Sequence, residues 1–159
     1  MERVTVIDGA TYYNDSKATN TDSAVKALEA FKEPVILLAG GYDKMTDLTD
    51  FMAMVKTHAK ALVLMGDAAA RFEEAAKAAG IDSIYRVRSM AEAVAKGHEL
   101  SKPGDVVLLS SACSSFDWYH CFEERGDDFK NEVHALAAMT ADKLSLIHIS
   151  EPTRLGMIS

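Results

Sequence analysis

Short apolar runs alternate along this chain with segments in which apolar residues recur at helical spacing. Continuous apolar runs occur at residues 35–39, 61–65 and 106–109, and such runs are typical of strands buried on both faces of a parallel sheet. Between and after them, the helical pattern occurs at residues 21–32, 47–56, 68–79, 90–100 and about 127–141. The alternation of the two patterns predicts a succession of strand–helix–strand units.

Local signals place further elements. The dipeptide Asp8-Gly9 divides residues 3–13 and predicts a hairpin turn between two short strands. Ser89 with Glu92 predicts a capped helix start. Together the patterns predict an α/β fold, a Rossmann-like, mostly parallel sheet of about six strands with helices on both faces.

The last residues do not continue this pattern. Residues 144–159 follow no helical period and contain Pro152. They are similar to the peptide that results when sequencing-adapter DNA is translated by read-through. We therefore expect one domain over residues 1–143 and a non-native, disordered tail over residues 144–159.

Composition and charge narrow the class of protein. A chain of 159 residues with a net charge of −7 fits one globular domain and argues against nucleic-acid binding, which usually needs a basic surface. The longest apolar run is far shorter than a membrane span, and no secretory leader is visible. Cys113 and Cys121 form no C-x₂-C pair, which is consistent with a reducing compartment. Taken together, these observations predict a cytoplasmic protein that binds neither nucleic acid nor membrane.

Three loops that follow predicted strands carry most of the candidate chemistry. The carboxyl ends of parallel strands share one edge of the sheet, so the loops are expected to converge on one ligand. Lysines with serine and threonine hydroxyls suit a carboxylate or a phosphate. The loops contain Asp15, Lys17 and Thr19; Gly40, Gly41, Asp43 and Lys44; and residues 110–116.

Simpler interpretations exist for each loop taken alone. Thr19, Asn20, Thr21 and Asp22 are all good helix caps, Lys44 alone could be a solvated lysine, and serines are common in loops. Capping leaves Asp15 and Lys17 unexplained, which favours an anion or nucleotide role for the first loop.

Two common kinds of site are not expected. The spacing of Cys113, His120 and Cys121 matches no zinc pattern, so these residues are interpreted as structural and no metal site is predicted. The sequence also contains no Gly-x-x-x-x-Gly-Lys-Ser/Thr loop, so it has no phosphate-binding ATP loop of its own.

The three loops carry motifs of a known family. The motifs are Asp15-Ser16-Lys17-Ala18-Thr19-Asn20, Gly40-Gly41-x-Asp43-Lys44, Leu109-Ser110-x-Ala112-Cys113-x-Ser115-x-Asp117 and Phe122-Glu123-x-Arg125-Gly126. From about residue 2 to residue 140, the chain resembles the C-terminal domain of the Mur ligases. The third motif with its arginine-glycine ending is most similar to the D-glutamate-adding members of this family.

The resemblance implies a reaction in peptidoglycan synthesis. In the family, ATP with Mg²⁺ phosphorylates the carboxylate of UDP-N-acetylmuramoyl-L-alanine, and the amine of D-glutamate attacks the resulting acyl phosphate. The family has a UDP-sugar domain, a central ATPase domain and this domain, which closes over the central one. ATP and Mg²⁺ would be held mainly by the central domain.

The resemblance also implies roles for individual residues. Thr19, Lys44, Ser115, Phe116 and Phe122 match positions that hold D-glutamate, and Asp15, Lys17 and Asn20 match the nucleotide side. Thr19 and Lys44 would bind the α-carboxylate, and Ser115 with the backbone near Phe122 would bind the side-chain carboxylate. Lys17 would face the reacting phosphate and is the candidate catalytic residue.

The chain departs from the family pattern in two respects. Ser111 stands where the family usually has proline, a change expected to loosen that loop. The sequence also begins just after the place of a His-Arg pair in the family, and the UDP-sugar and ATPase domains are not in it. We therefore expect a ligase fragment that is inactive alone.

Two alternatives remain open from the sequence. One is the C-terminal domain of a different amino-acid ligase of the superfamily, such as another Mur ligase or a folylpolyglutamate synthase. The other is a stand-alone α/β domain that binds an anionic metabolite.

Overall fold

The structure, a computed structural model, describes residues 1–149, with side-chain surroundings for residues 1–141. The strands are β1 (Glu2–Ile7), β2 (Ala10–Asn14), β3 (Val35–Gly40), β4 (Ala59–Met65), β5 (Ile84–Arg86) and β6 (Val106–Leu109). The helices are α1 (Thr21–Glu29), α2 (Thr49–His58), α3 (Ala69–Ala78), α4 (Met90–Leu100) and α5 (Phe122–Ile149). The α/β fold with six strands and helices on both faces is confirmed.

All strands form one sheet in the order β1-β2-β6-β3-β4-β5. Only β1 runs antiparallel to its neighbour. It joins β2 through the predicted Asp8-Gly9 turn, in which both residues have positive φ, 50° and 83°, as a two-residue type I′ turn requires. The last strand, β6, inserts between β2 and β3, so the strand order reverses beside β3, which is where ligands bind in open α/β sheets.

The central strand β3 shows how the layers are built. All six of its residues are buried, and their side chains alternate between two cores. Val35, Leu37 and Ala39 pack with α1, α2 and α3 on one face, while Ile36 and Leu38 pack with α4 and α5 on the other. Burial on both faces explains why this strand is continuously apolar in sequence.

Helix α5 differs from the prediction at both ends. It begins at Phe122 rather than near residue 127 and continues to Ile149. Glu123 and Glu124 occupy its first turn, where acidic side chains interact favourably with the positive end of the helix dipole. The prediction missed this start because the residues before it are rich in aromatic side chains and show no helical period. The expected tail at 144–159 thus overlaps the end of α5, and its residues 150–159 lie outside the described part.

Within residues 1–149 no helix combines the length and apolar character needed to cross a membrane.

Candidate functional site

The three predicted loops meet at the carboxyl edge of β2, β6 and β3. We call them the first loop (residues 15–20), the second loop (41–48) and the third loop (110–121). Backbone hydrogen bonds join the third loop to the other two: the Ala112 amide donates to the Ala18 carbonyl at 3.1 Å, and the Tyr42 amide donates to the Ser114 carbonyl at 3.0 Å. The loops therefore form one connected surface rather than three separate turns.

Two non-glycine residues of these loops have left-handed backbone. Met45 in the second loop and Ala112 in the third loop both have φ of 61°. This conformation is uncommon for residues with a Cβ atom, and backbone strain of this kind clusters at functional sites. Both residues lie in the loops that follow β3 and β6.

A cleft of about 580 Å³, the large cleft, opens between the three loops and the start of α5. Its lining residues are Thr19, Tyr42, Lys44, Ser114, Ser115, Phe116, His120, Cys121, Phe122 and Glu123. All the residues predicted to hold D-glutamate are therefore brought together around one cavity. The sequence separates the first and last of them by more than a hundred positions, so this convergence is a product of the fold.

The polar side chains that line the large cleft include Lys44, Ser114 and Ser115, and also Tyr42, His120 and Glu123. The Lys44 ammonium donates to the Thr19 carbonyl at 2.9 Å, which ties the second loop to the first. The hydroxyls of Ser114 and Ser115 are buried and have no hydrogen-bond partner among the described residues. Phe116 is 68% exposed and stands at the rim. The lining of the cleft thus contains the Lys44 ammonium, the Glu123 carboxylate and two serines whose unpaired hydroxyl oxygens are shielded from solvent.

A second cavity of about 280 Å³, the small cleft, lies on the other side of Phe122 and Glu123. Its walls include Asp15, Lys17 and Lys130. The Ser110 hydroxyl donates to the Asp15 carboxylate at 3.1 Å, yet burial raises the pKa of Asp15 above its ordinary value. Glu2, Glu123 and Asp127 also line this cleft, and Lys130 forms ion pairs with Glu2 and Asp127. Lys17 is therefore the lysine of this cleft that remains to meet an anion, while the carboxylates can accept from hydroxyl groups.

Asn20 is not part of either cleft. Its side-chain oxygen accepts from the Ser23 amide at 2.8 Å and caps α1. Of the predicted caps in the first loop, it is the one used. The nucleotide role of Asn20 stays a prediction.

Arg125 is the residue that sequence reasoning missed as a structural centre of the site. It is 2% exposed and donates to the Ser16 hydroxyl at 2.8 Å, the Ser16 carbonyl at 2.7 Å and the Cys113 carbonyl at 3.0 Å. The Ser16 hydroxyl in turn donates to the Phe122 carbonyl at 2.7 Å. Arg125 therefore holds the first loop, the third loop and the start of α5 together.

A sequence signal for Arg125 was present. Arg125, Phe129 and Val133 follow one another at intervals of four residues, and all are buried. Helical spacing would have placed the arginine on the buried face of α5, but the helix was predicted to begin near residue 127, two residues after Arg125.

Arg71 of α3 was also missed. It binds both carboxylate oxygens of Asp43, at 2.8 and 3.1 Å, and donates to the Thr46 carbonyl at 2.7 Å. The hydrogen bonds from Arg71 hold the pKa of Asp43 below its ordinary value. Asp43 therefore shapes the second loop instead of facing the ligand, and it leaves Lys44, the next residue, at the cleft.

The structural role that we predicted for Cys113 and Cys121 stays a prediction, and the two residues differ in burial. Cys113 is buried, and burial raises the pKa of its thiol to about 12, so it is not a thiolate at neutral pH. Cys121 is half-buried at the wall of the large cleft, and neither cysteine forms a disulfide. In the part of the chain that the structure covers, no cluster of three or more acidic, histidine or cysteine side chains could hold a metal ion.

The amino-acid sequence is similar to one protein family and to several curated enzymes. A family model described as the Mur ligase, glutamate ligase domain matches residues 1–113. The chain is 46% identical over 136 residues to the UDP-N-acetylmuramoylalanine–D-glutamate ligase of Clostridioides difficile strain 630, covering 86% of the chain and 30% of the relative. It is 50% identical over 137 residues to the enzyme of the same name from Geobacillus kaustophilus strain HTA426, with the same coverage.

Solved structures agree on the fold. A murein peptide ligase from Psychrobacter arcticus 273-4 superposes with a TM-score of 0.58 at 15% identity, covering 84% of this chain and 29% of that one. A UDP-N-acetylmuramoyl-L-alanyl-D-glutamate–2,6-diaminopimelate ligase gives 0.57 at 16% identity, covering 84% and 31%. The chain spans about 30% of the length of the curated relatives. From the family match over residues 1–113, the chain belongs to the Mur ligase family as a glutamate ligase domain.

Proposed function

We propose that this chain is the C-terminal domain of the ATP-dependent ligase that adds D-glutamate to UDP-N-acetylmuramoyl-L-alanine in peptidoglycan synthesis, in the cytoplasm. Support comes from curated relatives 46% and 50% identical that are named as D-glutamate ligases. Those relatives are about three times as long as the matched part, since it covers 30% of them. The complete reaction is therefore proposed for a longer protein, to which this chain contributes one side of the site.

The observation that carries the proposal is the convergence on the large cleft. Thr19, Lys44, Ser115, Phe116 and Phe122 come from the first loop, the second loop, the third loop and α5, and all line one cavity. A cation tied to the first loop and buried hydroxyls in the third loop give a dicarboxylate binding groups from more than one loop. This is what recognition of an acidic amino acid requires.

The roles proposed for individual residues are those that the resemblance to the Mur ligases implies, and the chemistry of the side chains is compatible with them. Lys44 and Thr19, which the resemblance assigns to the α-carboxylate of D-glutamate, adjoin each other and supply an ammonium and a hydroxyl. Ser115 and the backbone near Phe122 bind the side-chain carboxylate. Phe116 covers the carbon chain from the rim and limits the access of water.

The small cleft is proposed for the nucleotide. Asp15 can accept from ribose hydroxyls, and Lys17, which is exposed beside it, can contact a phosphate group. ATP supplies the phosphoryl group that activates the acceptor carboxylate. Lys17 is the candidate catalytic residue, since its ammonium would offset charge on the transferred phosphate. The nucleotide contact proposed for Asn20 would lie outside the small cleft, which Asn20 does not line.

Mg²⁺ is proposed to be held by residues of the other domains. The described residues contain no group of three acidic, histidine or cysteine side chains that could hold a metal ion. The sequence also lacks a phosphate-binding ATP loop. For both reasons the chain alone is proposed to be inactive as a ligase.

Titration of the 159-residue chain with D-glutamate, followed by NMR, tests the binding part of this proposal. We expect chemical-shift changes confined to residues 15–20, 44 and 115–122, a weaker response to L-glutamate, and changes at the small cleft with ADP. Lys44→Met should weaken D-glutamate binding about tenfold or more, because a charge-assisted bond is lost. Lys32→Met is the control, since Lys32 is an exposed lysine on the opposite edge of the sheet.

The possible results separate the alternatives. An equal response to both glutamate enantiomers would favour a general anion-binding domain. A response to another amino acid in place of D-glutamate would favour a different ligase of the superfamily. A Lys44→Met variant that binds as well as the unchanged chain would contradict the proposed site.

A further inference from the structure

The third loop holds several buried hydroxyl groups that no part of the described structure satisfies. Ser111, Ser114 and Ser115 are 0%, 6% and 1% exposed, and their hydroxyl oxygens have no hydrogen-bond partner among the described residues. Most buried polar groups in folded proteins are paired, because an unpaired one has lost its bonds to water without replacement. Three such groups within five residues are therefore unusual.

Position divides these serines into two kinds. Ser114 and Ser115 line the large cleft, whereas Ser111 does not. Ser111 lies deeper, where its carbonyl accepts from the Gly40 amide at 2.9 Å at the end of β3. A ligand in the large cleft could pair with Ser114 and Ser115 but not with Ser111.

The backbone holds Ser114 and Ser115 firmly in place. The Ser114 carbonyl accepts from the Tyr42 amide at 3.0 Å, and the Ser115 carbonyl accepts from the Tyr119 amide at 2.8 Å. With both carbonyls occupied, rotation about χ1 remains the main freedom of each side chain. A serine hydroxyl has three staggered positions about χ1, so each oxygen can turn towards the cleft when an acceptor arrives.

We propose that Ser114 is a further ligand-binding residue, which acts with Ser115 as a pair of hydroxyl donors to the side-chain carboxylate of the amino acid in the large cleft. A carboxylate is an acceptor with two oxygens, so it can take one bond from each hydroxyl. The pair lies in a different loop from Lys44 and Thr19, so the ligand would be held by more than one loop. This inference rests on the proposed function, because it presumes an acidic amino acid in that cleft.

The test compares single alanine variants of the three serines in the 159-residue chain, using D-glutamate as the probe in NMR titrations. Ser114→Ala and Ser115→Ala should each weaken binding by roughly 10- to 100-fold, the loss typical of a hydrogen bond to a charged group. Ser111→Ala is the matched control: it removes the same kind of buried hydroxyl but should leave the affinity within about twofold, because Ser111 does not line the cleft.

Stability measurements on the same variants keep the result interpretable. Each substitution removes an unpaired buried hydroxyl, so none should lower the midpoint of urea unfolding. Weaker binding by Ser114→Ala at an unimpaired midpoint would support the inference. A lowered midpoint for Ser114→Ala would mean that its hydroxyl is bonded within the protein, and this would overturn it.

Failure of the inference can be told from failure of the proposed function. If the unchanged chain binds D-glutamate and Ser114→Ala binds equally well, the inference alone is wrong. If the unchanged chain does not respond to D-glutamate at all, the proposed binding function fails, and the inference fails with it.

Discussion

At the scale of single residues, Arg125 joins the first loop, the third loop and α5 through three hydrogen bonds. Its guanidinium is buried, and its hydrogen-bond partners are carbonyls and a hydroxyl rather than a carboxylate. Burial lowers the pKa of Arg125, but an arginine remains charged at any physiological pH. The planar guanidinium of Arg125 suits this position because its N–H donors point in fixed directions and reach Ser16 and Cys113 at the same time.

Replacement of Arg125 should therefore destabilise the domain strongly. Arg125→Met leaves the Ser16 and Cys113 carbonyls without this donor, and each stranded buried group costs about 1–3 kcal/mol. We expect the free energy of unfolding in urea to fall by roughly 2–6 kcal/mol. Arg125→Lys should also be destabilising, since one ammonium group cannot reproduce the geometry of the guanidinium donors.

The control for this prediction is Arg88→Met, at an exposed arginine just before α4. It should change the free energy of unfolding by less than about 0.5 kcal/mol. An Arg125→Lys variant as stable as the unchanged chain would show that stability does not depend on the guanidinium group.

At the scale of elements, the contact between the second loop and α3 determines where Lys44 lies. Arg71 on α3 donates hydrogen bonds to the Asp43 carboxylate and to the Thr46 carbonyl. Lys44 lies between Asp43 and Thr46 in the sequence. The sequence showed Asp43 and Lys44 as adjacent charges of the same loop and could not tell which one faces a ligand. The bidentate pair resolves this, because it occupies both oxygens of Asp43.

This pair should make stability depend on pH in a defined direction. A carboxyl group whose pKa is lowered by folding stabilises the folded state above its unfolded pKa, and this contribution is lost as the pH falls through the folded pKa. Asp43→Asn should therefore lower the free energy of unfolding by about 1 kcal/mol at pH 7, a value reduced for the partial exposure of the pair. Below about pH 4 the difference from the unchanged chain should shrink.

Urea unfolding between pH 3 and pH 7 measures this difference. Asp82→Asn is the control, because Asp82 is an exposed aspartate in the turn before β5, and less than about 0.5 kcal/mol of change is expected. A difference between Asp43→Asn and the unchanged chain that stays constant down to pH 3 would show that the pair does not act through the charge of Asp43.

At the scale of the whole molecule, the sheet places both clefts on one edge and separates them only by the start of α5. Phe122 and Glu123 belong to the walls of both clefts. If the small cleft takes a nucleotide and the large one an amino acid, the two ligands meet at the same wall. Under the proposed function, the remaining parts of the reaction would belong to a longer protein, because this chain covers 30% of the length of its relative from Clostridioides difficile.

The chain alone is accordingly predicted to show no ligase turnover. A phosphate-release assay with ATP, Mg²⁺, UDP-N-acetylmuramoyl-L-alanine and D-glutamate should give a rate no higher than buffer, because the sequence has no phosphate-binding ATP loop. A full-length D-glutamate ligase serves as the positive control. Phosphate release by the 159 residues that depends on all three substrates would contradict this prediction.

The sequence by itself determined the elements and their order. The continuous apolar runs at residues 35–39 and 106–109 became β3 and β6, and Asp8-Gly9 became the hairpin turn. Ser89 caps α4 through the Glu92 amide as predicted, although the Glu92 carboxylate accepts from Arg88, one residue earlier than in the usual capping box. These features were predictable because they depend on neighbours within a few residues, such as hydrophobic period, turn conformation and cap hydrogen bonds.

Only the tertiary structure decided how the charged and hydroxyl groups are used. Ser16 and Arg125 are 109 positions apart, Asp43 and Arg71 are 28 apart, and nothing local to either pair indicates its partner. The unpaired hydroxyls of Ser114 and Ser115 likewise become visible only when burial and every surrounding donor and acceptor are known. Such pairings depend on which loops the sheet order brings together, and that order is set by contacts between residues far apart in the chain.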